Sequence, residues 1–371
     1  MVNMLLLFDY EILRVICWAF LGFLLISFAI IGCFDLGVGM LLPFLGKSDD
    51  ERGLIVRATC SFRGGGQIFL LLAGAVLYAA WPIAFSVSIH SLSIVLYWLI
   101  FALLLCPLGF VFRNKLPGKK IRCYLDKVLF IGSLLTVFVF GIAVGNLLIG
   151  IPFYLESSMN MVYVTGTRYL FSPFSLLAGA LAVSMIVMHS AVYLQLKMRG
   201  VVTKRINKAV FLSTLITLAL FAVAGYWIID LEGYHLLSEV FPNADSNPLA
   251  SEVKSEAGLW MDNYGHLPEL WSVPAAVFAS GLITIILVRV NRRKSALVFS
   301  SFTIAAIILT AVCSMFPFMI PSSISLSSSL TVWDSSASID TLNTVFWCGV
   351  FSLPLIALYL NYFFRGLSSQ I

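Results

Sequence analysis

Residues 315–347 read MFPFMIPSSISLSSSLTVWDSSASIDTLNTVFW. The segment leaves a long apolar run through Met315, Phe316, Pro317 and Phe318 and passes Pro321, Ser322 and Ser323. It then crosses a Ser-rich stretch to Trp333 and Asp334 and enters a new apolar run at Thr344. Proline lacks the N–H that a helix interior needs, and Ser and Asp bond their own backbone in turns. The segment therefore reads as a structured turn between two membrane-spanning helices, and that reading decides the fold class.

Outward from it, the same alternation fills the chain. Of 371 residues, 60% are hydrophobic and 11% charged, against about 25% charged in a soluble domain. The mean hydropathy is +0.99. Nine stretches, at about 12–42, 60–80, 86–112, 128–150, 171–195, 207–229, 270–290, 297–316 and 340–363, are long enough to cross a hydrocarbon layer, which needs about 20 helical residues. Barrel strands would be about 10 residues long and would alternate in polarity, which none of these does. The expected fold is an all-α polytopic membrane protein of nine transmembrane helices. Two four-helix bundles plus one peripheral helix is the expected layout. Residues 1–371 form a single transmembrane domain with one external loop at about 230–269.

The charges give an orientation. Lys and Arg cluster in alternate loops: Lys47 to Arg57, Arg113 to Lys127, Lys197 to Lys208, Arg289 to Lys294, and Arg365. These hold 19 of the 23 basic residues. The opposite loops hold Arg168 and Lys254 and nine of the 18 acids, from Glu156 to Glu269. The positive-inside rule places the N-terminus outside and the C-terminus in the cytoplasm. Topology thus explains the basic loops, and no nucleic-acid partner is expected. Met1 to Tyr10 lacks a basic leader, so the first helix is expected to stay as an anchor. The seven cysteines show no metal-type spacing; neither a disulfide nor a metal site is expected. In the external loop, Glu252 to Trp260 reads as a short surface helix. Trp227, Trp260 and Trp271 suit the membrane–water interface.

A few residues stand out as chemistry. Asp35 lies deep in the first apolar stretch, where a carboxylate costs roughly 2.5–3.5 kcal/mol on insertion scales. It reads as a proton-path or subunit-contact residue, or as a buried acid held by backbone that nearby glycines loosen. Cys60 to Phe69 carries three consecutive glycines, Gly64, Gly65 and Gly66. The run suits a helix start with a snorkelling Arg63 and lacks the Lys and Ser/Thr of a phosphate loop. Arg63 is also a candidate to pair with Asp35 or with a partner chain. His189 reads as a hydrogen-bonded interior histidine rather than a haem ligand. Gly141 and Gly145 have the spacing of close helix packing, and Asn146 beside them needs a partner.

Seven segments together resemble subunit II of the cytochrome bd-type quinol oxidases. They are Asp9-Tyr10-Glu11; Phe34 to Met40; Ala79-Ala80-Trp81-Pro82; Pro107 to Phe110; Gly145 to Leu148 with Gly150 to Phe153; Asn247-Pro248-Leu249; and the 315–347 segment with Pro317, Pro321, Ser322, Trp333 and Asp334. The resemblance implies a bacterial plasma-membrane protein with a periplasmic N-terminus. Its partner is a haem-bearing subunit I that holds haems b and d and the main quinol site. The complex oxidises quinol and reduces oxygen to water. Subunit II would stabilise subunit I, contribute to proton or oxygen access and hold a structural quinone, with no haem on its own side chains. Membrane lipid and a small accessory subunit are further partners that the resemblance allows.

The chain departs from the family pattern at two places. Where the family has Trp-Asp-Gly-Asn, ungapped counting puts Arg63, Gly64, Gly65 and Gly66. It puts Cys106 where an Arg often stands. Candidate proton-path or contact positions are therefore Asp35, Arg63, Gly64, Gly66, Cys106 and Asn146. The alternative readings are a secondary transporter built on Asp35 and the glycine break, and a non-catalytic membrane scaffold.

Overall fold

Inside a bilayer the backbone must satisfy its own hydrogen bonds, so long apolar runs become helices. The computed structural model describes residues 7–59, 66–113, 115–156, 158–164, 170–198, 200–239 and 241–367. Among these, eight helical stretches are long and apolar enough to cross a membrane, and a ninth apolar helix is shorter. The first stretch, 10–45, is compound. Helix α1 (Tyr10–Ser27) passes through a π-turn (Phe28–Gly32) into α2 (Phe34–Leu45). A polar helix, α3 (Asp49–Thr59), follows.

The shorter helix is α4 (Gln67–Ala80), of 14 residues. At about 1.5 Å per residue it extends roughly 21 Å, less than the roughly 30 Å of a hydrocarbon core. The expected second span at 60–80 is thus seen only from Gln67, since 60–65 lie outside the described residues. The expected third span at 86–112 is corrected too. Pro82 starts a separate helix, α5 (Pro82–Ser91), and α6 (Ser93–Phe112) carries the span. The α4–α5 break at Trp81 follows from Pro82, which has no N–H for a continuing helix but suits a first helical position; the break inside the expected span falls at Leu92, between α5 and α6.

The remaining spans are α7 (Lys119–Ile149), α8 (Pro173–Lys197), α9 (Val201–Asp230), α11 (Ser272–Arg289), α12 (Arg293–Met315) and α13 (Ile339–Leu367). Helices α1–α2, α4, α6 and α7 pack as one group, and α8, α9, α11 and α12 as a second. Helix α13 lies against α1 and α4 at the periphery. The groups meet where α7 and α2 lie on α8. Gly141 and Gly145 make that approach possible. A Cβ on Gly141 would sit 2.6 Å from the Ala178 carbonyl oxygen and from Gly179 Cα, and one on Gly145 2.6 Å from Ser175 Cα.

Three two-stranded antiparallel ribbons cap the helix ends: β1 (Phe153–Leu155) with β2 (Met161–Tyr163), β3 (Glu232–Leu236) with β4 (Val253–Ala257), and β5 (Phe318–Ile320) with β6 (Leu330–Thr331). Strand β4 replaces the surface helix expected over Glu252 to Trp260. Its partner β3 lies across a long connection, and that non-local pairing overrides local helix preference. Trp260 is likewise buried at 1% exposure rather than interfacial, and its indole donates to the Leu148 carbonyl at 3.0 Å. Trp227 and Trp271 are exposed. One further short helix, α10 (Asp262–His266), precedes α11.

Candidate functional site

The π-turn in the first span widens the helix by one residue and leaves backbone groups needing partners. His189 of α8 supplies one. Its Nε2 lies 3.1 Å from the Ile30 carbonyl oxygen, its Nδ1 2.8 Å from Ser300 Oγ, and its ring stacks on Phe34. His189 is therefore the interior hydrogen-bonded histidine that the sequence suggests, with both nitrogens engaged.

Just beyond the turn, Asp35 sits half-buried in the first turn of α2. It lies near enough to Cys106 and Tyr359 to act on both electrostatically. Cys106 is buried, 3.8 Å from Ser133 Oγ and 3.5 Å from the Ala102 carbonyl. Gly66 is buried against the π-turn: a Cβ there would lie 2.5 Å from Gly32 N and 2.8 Å from Ile31 C. Asp35, Gly66 and Cys106 thus converge on the first span. Arg63 and Gly64 lie outside the described residues. Asn146 stands apart, near the other end of α7, where its amide donates to the Ile142 and Leu170 carbonyls at 2.8 and 2.9 Å.

The 315–347 segment is a folded plug. Ser322 donates to the Phe153 carbonyl, and Ile151 N–H donates to the Pro321 carbonyl at 2.9 Å. Phe316 follows the end of α12, joined to Pro317 by a cis peptide bond. Trp81 is fully buried, and its indole donates to the Val332 carbonyl at 3.2 Å. Pro82 opens α5 beside it. Trp333 packs edge-on to Phe316. Asp334 accepts from Thr331 N–H at 2.7 Å and from the Ser251 hydroxyl at 2.8 Å. Burial pushes its carboxyl above the usual range, against the pull of those bonds.

One residue that the sequence reading passed over organises this face. Arg14, fully buried on α1, donates to Ser336 Oγ at 2.8 Å, Ser246 Oγ at 2.8 Å, the Ala244 carbonyl at 3.1 Å and the Pro242 carbonyl. Its guanidinium lies 3.6 Å over the Tyr10 ring, and Tyr10 hydroxyl donates to the Ala337 carbonyl at 2.7 Å. Three of the segments quoted above, or their immediate neighbours, meet here. The available signal was an Arg one helical turn from Tyr10 inside an apolar run, which must find acceptors.

The opposite helix ends carry a second unanticipated cluster. Arg113 and Asp126, 2% and 3% exposed, pair at 2.5 Å. Arg113 also reaches Asp49 at 2.8 Å, Arg122 reaches Asp49 at 2.7 Å, and Arg52 reaches Asp126 at 3.2 Å. The Arg122 bond, with Arg113 behind it, holds the Asp49 carboxyl below its usual range. Arg205 of α9 pairs with Glu51 at 2.8 Å. That bond is the main reason the Glu51 carboxyl is lowered to about 2. Sequence position assigned these arginines to topology alone, because their acids come from α3 and from the far helix of a hairpin.

The family model for "Cytochrome bd terminal oxidase subunit II" matches residues 13–367. The chain is 40% identical over 352 residues to the cytochrome bd-I ubiquinol oxidase subunit 2 of Escherichia coli (strain K12), covering 95% of this chain and 93% of that one. It is 37% identical over 354 residues, with the same coverage, to a probable cytochrome oxidase subunit 2 of Haemophilus influenzae. Among solved structures it resembles a chain of the bd oxidase from Geobacillus thermodenitrificans, with a TM-score of 0.67 and 14% identity over 96% of this chain and 98% of that one. That last likeness concerns the fold.

Proposed function

The chain belongs to the cytochrome bd terminal oxidase subunit II family, and from that premise we propose its place in the complex. It is an integral membrane component of an oxidoreductase. Its partner is a haem-bearing subunit I, and the assembly oxidises quinol and reduces oxygen to water. Haems b and d belong to that partner. His189, with both nitrogens hydrogen-bonded, supports a haem-free role for this chain. The observation that carries the reading is its extent: the family match runs along nearly the whole chain. Family membership leaves the transporter and scaffold readings without support. The N-terminus, with the plug and the β3–β4 ribbon, faces the periplasm, and the ionic cluster faces the cytoplasm of a bacterial plasma membrane. The basic loops support that orientation. A structural quinone, lipid and a small accessory subunit complete the expected partners.

Proton uptake in this complex runs mainly through subunit I. Two contacts support this. The backbone at Gly66 touches Gly32 with no room for a side chain, and Cys106 faces a serine hydroxyl where the family pattern often has a guanidinium. An oxygen-electrode assay on membranes with and without this chain tests the oxidase role; quinol-dependent respiration should vanish without it. The proton reading is tested by Gly64→Asp combined with Cys106→Arg. Turnover and protons released per oxygen should stay unchanged. Loss of turnover in Arg63→Ala with the complex intact would refute it.

A further inference from the structure

We propose that the cytoplasm-facing end of the α6–α7 hairpin is a docking surface for anionic phospholipid headgroups. Six basic residues lie between Arg113 and Lys127, and the structure divides them. Arg113 and Arg122 turn inward onto Asp126 and Asp49, where Arg52 joins them. Both acids of the cluster are consumed in this way. Lys115, Lys119, Lys120 and Lys127 point outward and are exposed, and no ion pair among the described residues reaches them.

The four ammonium groups share their surface with apolar side chains. Phe112, Leu116, Ile121 and Tyr124 are exposed at 41, 38, 47 and 68%. They belong to the last turn of α6, the connection and the first turns of α7, so they sit where two spans leave the membrane. A surface for a soluble acidic protein would not need this apolar fringe. A headgroup layer matches it: phosphates meet the ammonium groups, Phe112 at the end of α6 reaches toward the acyl boundary, and Ile121 and Tyr124, nearer the start of α7, lie among the headgroups. Clusters of four or more basic residues immediately beside a span are attracted to anionic lipid at roughly 1 kcal/mol each, which is about a fivefold change in affinity per lysine.

The test uses the purified oxidase complex in nanodiscs of phosphatidylcholine with a minor fraction of labelled phosphatidylglycerol. Retention of the labelled lipid is read by native mass spectrometry. Single Lys→Gln changes at 115, 119, 120 or 127 should each weaken retention about fivefold, and the quadruple variant should abolish the tightly held fraction. A control with the same charge loss at Lys47, Lys204, Lys208 and Lys294, also exposed on this side, should retain it. Equal loss in both variants would mean a general basic belt and overturns the proposal, as does retention in both. Displacement of the lipid by inorganic phosphate at low millimolar concentration would show a phosphate site rather than a membrane surface, and release of subunit I in the hairpin variant would assign the lysines to a protein contact. Either result overturns it as well.

Discussion

Asp334 shows how one side chain can set a pH dependence. Burial raises its carboxyl above the ordinary value, although Ser251 and Thr331 both donate to it. A pKa raised by folding means that the protonated form is favoured in the folded state. The contribution to stability is then fully present below the unfolded value, about 3.9, and is lost as pH rises through the folded value. Asp334→Asn keeps an acceptor for Thr331 N–H and removes the titration. As pH rises above the ordinary carboxylate range, the thermal stability of the complex should decline less steeply for the variant than for the parent. Parallel slopes would sink the argument. Trp333 and Asp334 were visible in the sequence as an unusual pair; Arg14 showed only as a charge inside an apolar run, without its acceptors. An isolated Arg near a span end reads as a snorkelling charge. Only the folded loops around Pro242–Ser246 and Ser336 reveal it as a clamp.

At the scale of elements, the spans were legible because the bilayer demands about 20 apolar residues in sequence. What was not legible is where local order depends on a distant partner. The β3–β4 ribbon is one case and the α4–α5 break is another. Pro82 marks the break, but Trp81 holds it through the Val332 carbonyl of the plug, and Ala337 N–H meets the Ala80 carbonyl at 2.8 Å beside it. Trp81→Phe should keep most of the packing and lose the indole bond, a cost of about 1 kcal/mol. It should also leave the buried Val332 carbonyl without that donor. Melting of the complex should fall by a few degrees, and limited proteolysis should increase within 321–338 rather than in the β3–β4 ribbon. Cleavage distributed equally over both would argue against a specific link. Helix α3 is held from outside in a similar way, by Glu51 on Arg205. The folded pKa of Glu51 is depressed to about 2, so its contribution is fully present above the ordinary carboxylate range and falls away progressively between that range and about 2.

At the scale of the whole molecule, two helix groups must meet without a soluble core to drive them together. Lipid tails are as apolar as leucine, so close van der Waals approach has to supply the association. The small-residue spacing at Gly141 and Gly145 signalled such an approach in the sequence, but not its partner, which is the face of α8 carrying Ser175, Ala178 and Gly179. Gly145→Ala tests whether this seam holds the groups together. In an exposed helix interior, replacing Gly with Ala is favourable by roughly 1 kcal/mol. At 145 the new Cβ would lie 2.6 Å from Ser175 Cα and 3.0 Å from Ala178 Cβ, contacts that only a backbone shift relieves. Overpacking of this kind costs typically about 1–3 kcal/mol, so the sign should reverse. Gly225 on α9 has no atom within 4 Å of the place a Cβ would take and serves as the comparison. The complex carrying Gly145→Ala should melt several degrees lower than the parent, while Gly225→Ala should melt at the same temperature or higher. Leucine in place of Gly145 should widen the gap and expose α7 and α8 to hydrogen exchange together, because both groups lose the same seam. If Gly145→Ala and Gly225→Ala shift the melting temperature alike, backbone propensity outweighs the seam. The two groups would then be held by the plug and its Arg14 clamp instead.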